Sequence, residues 1–125
     1  MEQASDGKFW CYTEQGIGDV GLSAIGDSVA AAKADLMECY EEARQDAEEN
    51  GKTFPEVEFE YKYDLQSFFN YFSFLNVSDI AKRAGINPSL MRQYVSGVKT
   101  AGEKTYQRLN ACMSNIKADL QAAAF

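Results

Sequence analysis

The sequence contains no histidine, only two prolines and three widely spaced cysteines. Histidine is the usual general base and completes the Ser-His and Cys-His nucleophile pairs, so those catalytic arrangements are excluded. Carboxylate or lysine chemistry stays open. An odd number of distant cysteines matches neither a disulfide framework nor a zinc motif. We therefore interpret Cys11, Cys39 and Cys112 as small buried side chains in a reducing compartment, and we expect no metal, cofactor or catalytic residues.

Long apolar runs are also missing. No stretch approaches the roughly 18 apolar residues that a membrane-spanning helix requires. Residues 1–7 have neither the basic start nor the apolar stretch of a secretory signal, and we expect them to be disordered. A hydrophobic content of 46%, with 13% aromatic residues, is typical of a soluble globular protein. The sequence therefore predicts a cytoplasmic protein with no membrane partner.

The net charge of -7 is unevenly distributed along the chain. Residues 1–57 contain thirteen acidic and four basic side chains, whereas residues 58–125 contain six acidic and eight basic ones. Within residues 79–117 there are seven basic side chains against two acidic ones. A total charge of this sign argues against a nucleic-acid partner only if it is evenly spread. The distribution instead predicts an acidic half and a basic half.

Hydrophobic periodicity divides the first half into four elements. Residues 8–15 and 20–25 are short, β-compatible stretches separated by a glycine-rich turn. From Asp27, apolar residues recur every three or four positions, which predicts a helix capped by Asp27 or Ser28 and ended at Gly51. Residues 57–63 alternate apolar and charged side chains, which predicts a half-buried strand. We therefore expect a strand-strand-helix-strand domain over residues 1–63, with one helix covering a small sheet.

A second, all-helical domain is predicted over residues 64–125. Asp64 can cap a helix with an aromatic stripe, which comprises Leu65, Phe68, Phe69, Phe72 and Leu75, widened by Tyr71 and Phe74. The overall fold class predicted is thus α+β.

Residues 77–99 have the pattern of a helix-turn-helix. Ser78 can cap the first helix, and Gly85 stands where the chain must leave that helix with a positive φ. Asn87 can cap the second helix, with Pro88 in its first turn, where a missing amide hydrogen is harmless. The inward positions are Ile80, Ala81, Ala84, Ile86, Met91, Tyr94 and Val95. An ordinary helical hairpin is the alternative interpretation of this ordered set.

The side chains expected on the surface of the second helix favour DNA binding. Ser89, Arg92 and Gln93 can hydrogen-bond base edges in a major groove. The candidate phosphate contacts around them are Lys82, Arg83, Lys99, Thr100 and Lys104. For any one of these basic residues, a solvated surface charge is an equally good interpretation.

The final segment, from about residue 103 to 123, predicts a long helix with a heptad-like seam. The seam consists of Tyr106, Leu109, Met113, Ile116 and Leu120. It can pack against the chain's own helices or against a second copy. A dimer suits DNA binding, because two recognition helices related by a two-fold axis read half-sites about 34 to 36 Å apart.

Taken together, the acidic helix (GDSVAAAKADLMECYEEARQDAEENGKTFPE) and the later segment NVSDIAKRAGINPSLMRQYVSGVKT resemble HicB-type antitoxins, whose second domain is similar to Cro and phage-repressor domains. The resemblance implies a degenerate ribonuclease H-like fold in the first domain, which holds a small basic toxin ribonuclease. It also implies that the second domain represses the shared operon by binding operator DNA. Its recognition positions fall on Pro88, Ser89, Arg92 and Gln93, and Ser78 is a further candidate DNA contact.

Two other functions are left open by the sequence. In one, the acidic half is an interaction module that neutralises a small basic protein, and DNA binding is secondary. In the other, the first half is a ribonuclease H-like nuclease. That chemistry needs several carboxylates converging on two metal ions, and the strand region supplies only Glu14, Asp19 and Asp27.

Overall fold

A computed structural model describes residues 1–18 and 20–125 and shows an α+β protein, which confirms the predicted fold class. The chain divides into two compact units, Met1–Tyr71 and Phe72–Phe125. The elements of the first unit are β1 (Glu2–Gln3), β2 (Phe9–Tyr12), β3 (Ser23–Gly26), α1 (Val29–Glu49) and α2 (Leu65–Tyr71). Those of the second are α3 (Val77–Ala84), α4 (Pro88–Ser96) and α5 (Glu103–Ala122). The division falls after α2 rather than at the predicted position 63/64, because α2 packs against α1 and β1.

The three strands form an antiparallel sheet in the order β1-β2-β3. The first two predicted strands are present, at Phe9–Tyr12 rather than 8–15 and at Ser23–Gly26 rather than 20–25. The prediction that residues 1–7 are disordered is wrong: Glu2 pairs with Trp10 and Gln3 with Phe9. Gly7, with a φ of 83°, makes the turn that returns the chain.

Helix α1 covers one face of this sheet. Ser28 caps it by accepting a hydrogen bond from the Ala31 amide (3.1 Å), and the chain leaves it through Gly51, whose φ is 66°. Its predicted apolar face is confirmed, since Val29, Ala32, Leu36 and Tyr40 are buried with Phe9, Cys11 and Ala24 of the sheet. Gly26 permits the close approach of strand and helix, because a Cβ there would lie 2.5 Å from the Ala32 nitrogen.

The strand predicted over residues 57–63 is absent, and its predicted inward side is confirmed except at Val57, which is exposed. Residues 52–64 form neither helix nor strand. Phe59, Tyr61 and Tyr63 nevertheless pack against the core, while the residues between them are exposed. The Met1 nitrogen donates to the Lys62 carbonyl (2.9 Å) and the Asp64 amide donates to the Met1 carbonyl (3.0 Å). Met1 is thus hydrogen-bonded to the residues on either side of Tyr63, which is the pattern of a parallel strand pair. The segment therefore runs beside the start of β1.

Helix α2 is shorter than predicted. Asp64 caps it through the Ser67 amide (2.8 Å), as expected, but the helix ends at Tyr71 and the following residues form a turn. Of the predicted stripe, Leu65 and Phe69 are buried, whereas Phe74 is 81% exposed.

Candidate nucleic-acid interface

Helix α3 and the turn after it are fixed by two local devices. Asn76, rather than the predicted Ser78, caps the helix, and its side chain accepts a hydrogen bond from the Asp79 amide (3.0 Å). Asparagine is at least as good a cap as serine, and here it stands at the residue where the chain enters the helix. At the other end Gly85 has a φ of 74°, as predicted, and buried Ile86 donates its amide to the Ala81 carbonyl (2.9 Å).

Helix α4 begins and ends where the sequence predicts. The Asn87 side chain accepts hydrogen bonds from the amides of Ser89 (2.9 Å) and Leu90 (3.2 Å), and Pro88 occupies the first position. Gly97, with a φ of 83°, ends the helix. Which side of α4 faces the solvent depends on which of its residues are buried, and Met91 is the buried one.

The core of the second unit lies on one side of α3 and α4. Met91 and Ala81 are fully buried, and Ile80 and Ile86 are nearly so. The buried residues of α5 are Leu109 and Cys112. Because Met91 is directed into this core, Arg92 next to it is exposed on the outer side.

The predicted DNA contacts fall into two groups by exposure. Ser89, Arg92, Lys99, Thr100 and Lys104 are exposed. Ser78, Pro88 and Gln93 are half-buried. The Oε1 atom of Gln93 is buried without a hydrogen-bond partner among the described residues. Gln93 therefore does not present its side-chain oxygen at the surface.

A side-chain hydrogen bond connects two of these candidates. Nη1 of Arg92 on α4 donates to Oγ of Ser78 on α3, at 2.9 Å. The bond joins the first turn of α3 to the outer face of α4. Ser78 is thus beside the candidate base-reading residue, although it does not cap the helix.

The loop after α4 holds Lys99 and Thr100 in a defined backbone conformation. The Gly97 amide donates to the Tyr94 carbonyl and the Lys99 amide donates to the Gln93 carbonyl, both at 3.2 Å. The side chains of Lys99 and Thr100 remain exposed. Lys104 is exposed in the first turn of α5.

Two arginines connect α5 to the α3–α4 pair. Arg83 forms an ion pair with Asp119, so this candidate phosphate contact already has a partner. Arg108 donates from Nη1 to the Gly85 carbonyl (3.4 Å). Sequence reasoning missed Arg108, because a contact with a backbone carbonyl leaves no pattern in residue types.

The predicted seam on α5 is divided along its length. Leu109 is buried, and Tyr106, Met113 and Ile116 are half-buried within the second unit. Leu120 is 69% exposed. The first part of the seam therefore packs on the chain itself.

The two units differ in net charge more than the two sequence halves do. Residues 72–125 contain seven basic and three acidic side chains. Residues 1–71 contain sixteen acidic and five basic ones. An exposed cationic surface is the electrostatic requirement for phosphate binding, and only the second unit carries an excess of basic residues.

The outer face of the sheet in the first unit is aromatic. Trp10 is 40% exposed and Tyr12 is 49% exposed, because alternate residues of β2 face away from α1. The Tyr12 hydroxyl donates to the Glu2 carboxylate (3.0 Å), and this bond and the nearby negative charge raise the tyrosine pKa above its usual value.

The carboxylates considered for nuclease chemistry are not gathered in the described part of the chain. Glu14 pairs with Lys62 (3.4 Å) and Asp27 pairs with Lys8 (3.8 Å), both at the surface. Asp19 lies outside the described residues. Across residues 1–18 and 20–125, no three His, Cys, Asp or Glu residues are grouped so that they could hold a metal ion.

No helix in the described residues has the length and apolarity needed to cross a membrane. Comparisons with protein-family models, with curated proteins and with solved structures find no match to this chain. We therefore infer function from the geometry and charge of the two units.

Proposed function

We propose that residues 77–99 form a helix-turn-helix and that the chain is a sequence-specific, DNA-binding transcriptional regulator without enzymatic activity, acting in the cytoplasm. The observation that carries the proposal is the arrangement of α4. Its first turns expose Ser89 and Arg92 directly beside the buried Met91. A helix anchored by its inner face, with hydrogen-bonding side chains on its outer face, is what a major groove admits.

In this proposal the surrounding lysines and the Thr100 hydroxyl anchor the DNA backbone. Lys99 and Thr100 follow α4 in a hydrogen-bonded loop, and Lys104 lies in the first turn of α5. Such contacts fix register and orientation and read no bases. Pro88 starts the recognition helix, and Gln93 reads a base only after its buried amide rotates outward.

The wider role we propose is that of a HicB-type autorepressor that occludes its own promoter as a dimer or higher oligomer. The first unit would then be the degenerate ribonuclease H-like domain of that family. Its antiparallel sheet, single covering helix and return segment beside β1 are compatible with this assignment. The exposed Leu120 on α5 is available to a second copy.

The proposal is tested by selecting duplexes from a random-sequence DNA library with the purified protein. The enriched duplex and a scrambled control are then titrated at several salt concentrations. We expect a specific site, with two related half-sites if a dimer binds, and an affinity for it about 10³-fold or more above that for the scramble. Equal affinity for both duplexes at every salt concentration would contradict sequence-specific binding.

A second candidate function is supported by the first unit. Its net negative charge and the exposed Trp10 and Tyr12, close to the Glu2 carboxylate, suit a basic protein partner such as a small toxin ribonuclease. Arginine side chains pair with carboxylates and stack on aromatic rings. Under this function, DNA binding is secondary.

Trp10 is the only tryptophan in the sequence, so its fluorescence reports on this face alone. The test is a titration with the purified product of the neighbouring gene, provided that this product is small and basic. We expect a shift in Trp10 emission, and weaker binding when Tyr12 is changed to Ser. Tight binding with unchanged emission would place the partner elsewhere.

A further inference from the structure

The hydrogen bond between Arg92 and Ser78 lies within the proposed DNA-binding surface and is separate from the cap of α3. Asn76 already caps α3. The Ser78 hydroxyl is therefore not needed for capping, and it accepts a hydrogen bond from Nη1 of Arg92 (2.9 Å). Arg44 and Arg83 are paired with carboxylates, whereas within residues 1–18 and 20–125 no acidic side chain forms an ion pair with Arg92.

The atoms used by this bond determine what the rest of the guanidinium can do. Arginine presents five N–H donors in one plane. Nη1 lies on the side of the guanidinium opposite the edge that carries Nε and Nη2. The bond to Ser78 occupies an N–H of Nη1 and leaves the Nε–Nη2 edge intact. Two parallel N–H groups on one edge match the N7 and O6 acceptors that guanine presents in the major groove.

The bond also restricts the conformations of Arg92 before any DNA is present. Arg92 is exposed, and a free arginine at the surface samples many rotamers that must be lost on binding. A side chain already held by its neighbour loses less freedom when it binds, which raises the affinity for the matching base. Ser78 lies in the first turn of α3, so its backbone position is fixed by that helix.

We propose that Ser78 is a positioning residue that holds Arg92 ready to read a guanine in the major groove. The inference rests on the proposed DNA-binding function and adds the base class and the residue that presents the reader. Ser78 acts through Arg92 and contacts no base itself.

The test uses the duplex that the wild-type protein enriches from a random library. Each guanine of this duplex is replaced in turn by 7-deazaguanine, which lacks the N7 acceptor. Wild-type protein is expected to lose about 10-fold or more in affinity at one guanine of each half-site, since a hydrogen bond from a charged donor is lost there. Arg92→Ala is expected to be insensitive to replacement at the same guanine.

Ser78 is then tested by a double-mutant cycle between the protein and this guanine. Ser78→Ala should weaken binding to the enriched duplex by about 2- to 10-fold and should have a clearly smaller effect on the duplex that carries 7-deazaguanine at that position, where only the O6 acceptor remains. Ser78→Thr keeps the hydroxyl and should restore wild-type behaviour. Ser114→Ala, the same change at an exposed position of α5, is the matched control and should have no effect.

Each other outcome overturns the inference in a distinguishable way. If Ser78→Ala weakens the enriched, deaza and scrambled duplexes equally, Ser78 is a phosphate contact. If Ser78→Ala changes nothing while Arg92→Ala removes the guanine dependence, Arg92 reads the base without help. If no duplex is enriched at all, the proposed function fails, and the inference fails with it.

Discussion

Gly85 turns the chain between α3 and α4 with a φ of 74°, a left-handed conformation that residues with a Cβ adopt only at a cost. A Cβ at this position would meet no atom within 4 Å. Any cost of a substitution at Gly85 is therefore conformational rather than steric. This separates backbone strain from packing at a single position.

We expect Gly85→Ala to lower the free energy of unfolding by about 1 kcal/mol. Gly85→Asn should lose less, because asparagine tolerates the left-handed region better than alanine. Gly21→Ala is the control, since its φ lies outside that region and a Cβ there also meets open space. Urea denaturation of the three variants measures the difference, and a Gly85→Ala variant as stable as Gly21→Ala would show that the left-handed backbone carries no cost.

Several single residues of the candidate site could be predicted from sequence, and others could not. The roles of Gly85 and Asn87 follow from backbone rules that act within a few residues. Ser78 was predicted as a cap and is instead a partner of Arg92, a contact between residues 14 positions apart. Gln93 was predicted as a base reader, and its buried Oε1 depends on packing that residue types alone do not reveal.

At the scale of elements, Asp64 joins the return segment to α2. Its Oδ2 accepts a hydrogen bond from the Gln3 amide of β1 (2.9 Å), and its Oδ1 accepts one from the Ser67 amide (2.8 Å). One carboxylate oxygen thus accepts a hydrogen bond from the backbone of β1, and the other caps α2. One side chain ends the extended segment and begins α2.

Asp64→Ala is expected to lower the free energy of unfolding by about 1 to 3 kcal/mol, because both amides lose their acceptor. Asp64→Asn should lose less, since its one remaining oxygen can still cap the helix. Glu58→Ala, an exposed position of the same segment, should stay within about 0.5 kcal/mol of wild type. Chemical denaturation measures these values, and an Asp64→Ala variant as stable as Glu58→Ala would contradict the account of this junction.

The same segment explains why the elements were only partly predictable. Alternation at residues 57–63 reports which side chains face the core, and that inference is confirmed for Phe59, Tyr61 and Tyr63. The alternation does not show whether the segment forms the backbone hydrogen bonds to a neighbouring strand that would make it part of a sheet. β1 has only two residues, both exposed, so no hydrophobic pattern marked it. Helix α2 ends at Tyr71, and a turn separates it from the extended Asn76 that caps α3.

For the whole molecule, the separation of charge sets how DNA binding should depend on salt. The second unit has an excess of basic residues, whereas the first unit is strongly acidic. Each phosphate neutralised by a lysine or arginine releases counterions, so affinity falls with salt in proportion to the number of such contacts. The proposed anchors Lys99 and Lys104 should each contribute to this slope.

Lys99→Ala is therefore expected to weaken binding to the enriched and scrambled duplexes by the same factor. It should also reduce the slope of log affinity against log salt by about 1. Lys117→Ala removes the same charge from the exposed side of α5 and serves as the control. Titrations at several salt concentrations provide the slopes, and a loss confined to the enriched duplex would show that Lys99 reads bases.

The central claim is that α4 reads DNA sequence through Arg92, and it is tested most directly by the ratio of affinities for the enriched and scrambled duplexes. Arg92→Ala should cost about 1 to 3 kcal/mol on the enriched duplex, relax the preference at one base position and leave binding to the scramble nearly unchanged. The ratio should therefore fall by about 5- to 150-fold. Equal losses on the two duplexes, with the ratio preserved, would show that Arg92 does not read the sequence.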